Sequence, residues 1–120
     1  MSEFVFLYPK TGLDIGGAVA PPFSSMYASV LLHKVGHRVK IIDQRKEQEW
    51  RKILSVELKR KPTFVGITSM TGPQVKFAIE MAAYVRKESS VPIVWGGPHV
   101  STLPRQTVES EYCDIAVVNE

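Results

Sequence analysis

At 120 residues, with 44% hydrophobic and 22% charged residues, the chain has enough apolar material for one core and too little length for two. The composition excludes a disordered or fibrous chain, and no apolar run approaches the length of a membrane span. The net charge is +3, and the segment Arg45–Lys61 alone supplies seven basic residues; cations near the end of a helix complement its dipole, so this excess reads as a solvated helix face and not as a nucleic-acid footprint.

One cysteine, Cys113, excludes an intrachain disulfide and a CxxC metal motif. Such usage fits a reducing, cytoplasmic setting. Met1-Ser2-Glu3 opens on an acid, unlike the cationic start of a signal peptide.

In chain order, Phe4–Leu7 is the first strand. Tyr8–Pro22 follows as a long connection rich in Gly and Pro, and long loops in compact domains commonly carry function. Phe23–Val35 is helical, with Met26, Tyr27, Val30 and Leu31 on one stripe and Gly36 as its left-handed stop. Val39–Ile42 is the second strand. Gln48–Lys61 is the next helix, carrying Trp50, Ile53, Leu54 and Leu58 and stopped by Pro62. Phe64–Ile67 is the third strand. The helix Pro73–Lys87 has Val75, Ala78, Ile79, Ala82 and Val85 on its stripe, and Pro73 sits near its start, where a missing N–H costs nothing. Ile93–Trp95 is the fourth strand, a short helix runs from Pro104 to about Ser110, and Ile115–Val118 is the fifth strand.

Most of these strands are continuous apolar runs, as strands buried on both faces require, and parallel sheets are buried that way. Strict strand–helix alternation implies right-handed crossovers and a three-layer α/β/α domain. The expected fold is flavodoxin-like and doubly wound, a five-stranded parallel sheet of order 2-1-3-4-5. The chain stops at Asn119-Glu120, directly after strand five, where a further helix would normally cover one sheet face. A domain cut from a longer protein is expected, with a possible homodimer contact at the uncovered strand-five side.

In such sheets ligands bind beyond the carboxyl ends of the strands, where the strand order reverses. That rim receives Tyr8–Pro22, the run Thr68-Ser69-Met70-Thr71-Gly72-Pro73 and the run Gly96-Gly97-Pro98-His99. Glycines let a ligand approach the backbone, and hydroxyls or free N–H groups at a helix start can bind a phosphate or an amide. Tight turns and helix caps would explain each loop singly; the three together favour a site. The chain has neither a GxGxxG fingerprint nor a GxxxxGK[ST] loop, and it lacks the strand-end acids of a phosphoacceptor domain. No nucleophile–base pair stands at matching strand ends, so no catalytic residue and no metal ligand is assigned. Cys113, His33 and His37 fall at the amino edge and read as structural; His99 falls at the ligand edge.

Pro21-Pro22, then a helix, then Gly36-His37-Arg38-Val39 running into Ile41-Ile42-Asp43, resembles the cobalamin-binding domain that precedes radical S-adenosylmethionine (radical SAM) catalytic domains. Phe64–Ser69, Pro92–His99, Leu103-Pro104 and the ending Val117–Glu120 extend the resemblance to nearly the whole chain. That family includes the oxidative cyclases of magnesium-protoporphyrin monomethyl ester and cobalamin-dependent methyltransferases. The resemblance implies a corrin over the carboxyl edge. The strand-one loop Gly12–Gly17, with Gly12, Leu13, Gly16 and Gly17, would lie beneath it, Ser69 and Thr71 would meet the nucleotide tail, and Gly96 and Gly97 would leave room for that tail, with Met70, Gly72, Pro98 and His99 as further cofactor-binding candidates. It also implies a radical SAM partner domain in cis with a [4Fe-4S] cluster and S-adenosylmethionine. The chain has no CxxxCxxC to hold such a cluster.

One departure matters. Related domains place DxHxxG after strand one, with its His on cobalt; here the matching run is Thr11-Gly12-Leu13-Asp14-Ile15-Gly16. Leu13 cannot ligate cobalt, so the resemblance implies cobalamin held base-off and histidine-off. Two alternatives stay open: a flavodoxin-like domain for flavin or a nucleotide, and a degenerate domain used for protein contact.

Overall fold

In a computed structural model that describes residues 2–11, 29–30, 32–68, 73–97 and 111–117, the chain forms the expected sheet. The elements are β1 (Glu3–Tyr8), β2 (Arg38–Asp43), α1 (Trp50–Lys59), β3 (Phe64–Thr68), α2 (Pro73–Glu88), β4 (Ile93–Gly96) and β5 (Ile115–Ala116). All strand pairs are parallel and the order is β2-β1-β3-β4-β5. Register aligns Leu7 with both Ile42 and Ile67, and Ile67 with Trp95.

Period-two alternation explains the core. Val5, Leu7, Ile42, Val65, Ile67, Ile93 and Trp95 project from one sheet face and are buried against Trp50, Leu54 and Leu58 of α1 and Ala78, Met81, Ala82 and Val85 of α2. The opposite face carries Phe4, Phe6 and Phe64, whose rings pack edge-on or tilted at 4.8 and 5.8 Å. A Cβ on Gly66 would come within 2.8 Å of the Phe6 ring, so glycine is what lets that ring lie flat on β3.

Helix ends follow local chemistry. Among the residues before Gly36, 29–30 and 32–34 are helical. Gly36, at φ +90°, ends this helix as expected: its N–H bonds the His33 carbonyl, and the His37 N–H reaches back to that of Leu32. After α1, Lys61 takes the left-handed conformation (φ 56°) before Pro62, closing the turn through its N–H on the Leu58 carbonyl.

Three expectations need correction. Val30 and Ile79, placed on apolar stripes, are exposed, while Ser29, Gln74 and Met81 are buried. On α2 the buried set Gln74, Ala78, Met81, Ala82 and Val85 follows the helical repeat one position away from Ile79, and only the packing against α1 and the sheet selects that face. Strand five is shorter than expected, confined to Ile115–Ala116, although the Val117 amide still bonds the Trp95 carbonyl. Its lead-in is held by polar contacts: the Trp95 indole N–H donates to the Tyr112 carbonyl at 2.8 Å, and Asp114 accepts the Ile93 amide at 2.8 Å and Arg86 at 3.0 Å. The helix expected at Pro104 to about Ser110 lies outside the described residues.

Candidate functional site at the carboxyl edge

The chain leaves β1 toward β2 but leaves β3 toward β4, so the strand order reverses between β1 and β3. In sheets of this kind the point of reversal is where connections diverge and ligands bind, and here it lies at the carboxyl ends Tyr8 and Thr68. Thr68 pairs with Gly96, which brings the end of β4 onto the same rim. Among the described residues, no atom lies within 4 Å of a Cβ built on Gly96, and Gly97 has φ +98°. Two successive glycines without side chains at the end of β4 are of the kind that admits a group close to the main chain.

The β1 end is built differently. Pro9 is fully buried, and the backbone around it is held by two carboxamides. Gln44, directly after β2, donates its amide N–H to the Tyr8 carbonyl at 2.9 Å, and its Oε1 accepts the Lys10 amide at 2.9 Å. Its Nε2 donates to Glu80 of α2 at 2.8 Å. Gln74, in the first turn of α2, donates Nε2 to the Pro9 carbonyl at 3.1 Å. Both glutamines are 3% exposed. Beside them Asp43 receives Arg45 through Nε at 3.0 Å and Nη2 at 2.9 Å, while the guanidinium lies 4.2 Å over the Tyr8 ring. Burial makes such a pair costly to break, because either charge alone would stay desolvated.

Of the expected site residues, Gly96 and Gly97 are described and stand at the end of β4. Gly12, Leu13, Gly16, Gly17, Ser69, Met70, Thr71, Gly72, Pro98 and His99 lie outside the described residues, while their neighbours Thr11, Thr68 and Gln74 belong to the carboxyl edge. His37 is at the amino edge as expected, accepting the Ser2 amide through Nδ1 at 3.1 Å and packing edge-on against Phe4. Cys113 is in the core, its thiol donating to the Ile115 carbonyl, and burial pushes its pKa up. Among the described residues no group of three His, Cys, Asp or Glu could hold a metal ion.

Sequence reasoning missed Gln44 and Gln74. The available signal was polar side chains directly after an apolar strand (Asp43-Gln44-Arg45) and directly after the helix-starting Pro73. Which backbone they bond is a long-range fact, spanning 34 residues for Gln44 to Lys10 and 65 for Gln74 to Pro9.

Residues 13–120 match the family model of the B12 binding domain. Among solved structures, the chain is similar to TsrM, a radical S-adenosylmethionine methyltransferase from Kitasatospora setae, with cobalamin and a [4Fe-4S] cluster bound: 23% identity and a TM-score of 0.72, over 91% of this chain and 21% of that one. A second structure of TsrM, with tryptophan substrate and a SAM analogue bound, gives 22% identity and a TM-score of 0.72 over 91% and 22%. At these identities the likeness is one of fold, and the chain spans about a fifth of TsrM's length. No curated protein sequence matches the chain.

Proposed function

This chain belongs to the B12 binding domain family, and from that premise we propose that it holds cobalamin at the carboxyl edge of its sheet and presents it to a radical SAM domain of the same parent protein. The family match over residues 13–120 carries the reading. Two features of the described rim support the reading: the strand order reverses between β1 and β3, and beside that point β4 ends in Gly96 and Gly97, the latter at φ +98°.

Gly96 and Gly97 would give the nucleotide tail close access to the end of β4. Ser69, Met70, Thr71 and Gly72, with Pro98 and His99, would flank it, and Gly12, Leu13, Gly16 and Gly17 would underlie the corrin. With Leu13 at the position of the usual histidine, this chain would offer no imidazole to cobalt there, and the cofactor would be held base-off and histidine-off. Cobalamin supplies a cobalt centre able to carry a methyl group. The role of this chain is to bind and orient it, while the partner domain would bring the [4Fe-4S] cluster and S-adenosylmethionine, in a methyltransferase or cyclase working in the cytoplasm.

Titration with hydroxocobalamin, followed by gel filtration and a visible spectrum, tests the proposal. One equivalent should co-migrate with the protein, and the cobalt(II) form should show no nitrogen superhyperfine splitting in its electron paramagnetic resonance spectrum. Gly96→Leu should preserve the fold, since no described residue lies within 4 Å of a Cβ there, and should weaken binding at least about tenfold. Colourless wild-type protein, or unchanged affinity in Gly96→Leu, would overturn the reading; stabilisation by flavin mononucleotide instead would favour a flavin domain.

A further inference from the structure

Tyr8, Pro9 and Lys10 carry the chain from the end of β1 into the strand-one connection, and their backbone is held at three points. The Tyr8 carbonyl accepts the Gln44 amide, the Pro9 carbonyl accepts Gln74 Nε2, and the Lys10 amide donates to Gln44 Oε1. Pro9 has no N–H to satisfy and its ring restricts φ. The two clamps come from opposite sides. Gln44 follows β2, and Gln74 opens α2, the helix that begins where the strand-three loop ends.

A carboxamide suits Gln44 because it must accept from Lys10 and donate to Glu80 at once. Glu80, on α2, also faces Arg51 of α1 at 3.5 Å in a half-exposed pair. Neither glutamine is needed for the core: the buried cluster there is apolar. Two buried amides spent on one backbone step at the cofactor edge call for a reason other than burial, since an unbranched apolar side chain would fill the same space without desolvating polar atoms.

We infer that Gln44 and Gln74 are positioning residues, which fix the direction in which the strand-one connection leaves the sheet and thereby set the affinity for cobalamin. They act through the backbone of Tyr8–Lys10. The inference rests on the reading of this rim as the cofactor edge: Gln74 ties the start of α2 to the backbone after β1, and Gln44 ties the end of β2 to the same backbone.

The test uses Gln44→Met and Gln74→Met, which keep side-chain length and remove the polar atoms, with Asp114→Asn as a control that loosens the β4–β5 junction on the amino edge. In either Met variant the dissociation constant for hydroxocobalamin should rise about tenfold, the loss of roughly 1.4 kcal/mol. In Gln44→Met the Lys10 amide should exchange with solvent about tenfold faster, while Phe6 and Leu7 keep their wild-type rates. Asp114→Asn should lose thermal stability but bind hydroxocobalamin as wild type does. Wild-type affinity in both folded Met variants overturns the inference, and so does an equal loss of affinity in Asp114→Asn, which would mark the effect as general loosening. If one Met variant fails to fold, the other decides, since the two hold different backbone atoms. If wild-type protein takes up no hydroxocobalamin, the cofactor reading fails and the affinity claim with it; an unchanged Lys10 exchange rate in Gln44→Met would then remove the clamp as well.

Discussion

Glu57 is a carboxylate on the apolar side of α1, next to Leu54 and Leu58, and it is buried. It lasts there because Arg38, opening β2, donates both Nη1 and Nη2 to it, the latter at 3.2 Å. That hydrogen bonding, outweighing desolvation, holds the Glu57 pKa below the usual carboxylate value. Asp114 is lowered too, first by the Ile93 amide and then by Arg86. Both folded-state pKa values lie below those of the unfolded chain, so the unfolded chain binds more protons as the pH falls. The stabilisation is therefore complete above the unfolded values, about 4.3 for Glu and 3.9 for Asp, and is lost as pH drops below about 4. Glu57→Gln should cost about 1–2 kcal/mol at neutral pH, with Arg38 at the surface moderating the loss, and should flatten the acid limb. Melting curves between about pH 7 and pH 3 on wild type and variant check both. Cys113 gives a second residue-scale prediction. Its thiol is buried with a raised pKa, so native protein near pH 8 should react with a disulfide reagent far more slowly than urea-unfolded protein, as an absorbance time course would show.

At the scale of elements, β3 is defined by a glycine. Gly66 pairs with Phe6 across the β1–β3 ladder, and the Phe6 ring fills the space a methyl group would need. The ring cannot retreat freely, because Phe64 lies beside it. Gly66→Ala should destabilise by about 1–3 kcal/mol, and Phe6→Leu should recover part of that in the double variant, measured as a coupling energy by chemical denaturation. The glycine inside β3 and the glycine ending β4 differ in kind. Gly66 serves packing within the sheet, whereas no described residue comes near the Cβ position of Gly96. That contrast is what makes Gly96 a candidate for ligand access.

For the whole molecule, sheet position sets a gradient of stability. β1 and β3 are each bonded on both sides, while β5 is two residues long and bonded on one. Native-state amide exchange should find the strongest protection in Val5, Leu7, Val65 and Ile67 and the weakest strand protection in Ala116. Equal protection in β5 would mean that its edge is covered. The basic segment also reads differently in three dimensions. Arg45 pairs with Asp43, Arg51 with Glu80, Lys52 with Glu49 and Arg60 with Glu3, so much of its charge faces acids of the same molecule.

The strands, their parallel order and two of the helices were legible in the sequence, because continuous apolar runs and strict alternation leave few ways to bury both sheet faces. The ends of the helices were legible where one residue controls them, as at Gly36. What the sequence alone did not decide was the rotation of each helix about its axis: Ile79 and Val30 suit an apolar stripe, but the neighbours chosen by the fold turned them outward. Nor did it reveal that Gln44 and Gln74, 30 residues apart in number, hold the same three-residue turn of backbone. Periodicity is a local property, visible along one segment. A hydrogen bond between side chain and distant backbone depends on where separate segments come to lie, and only the tertiary structure decides that.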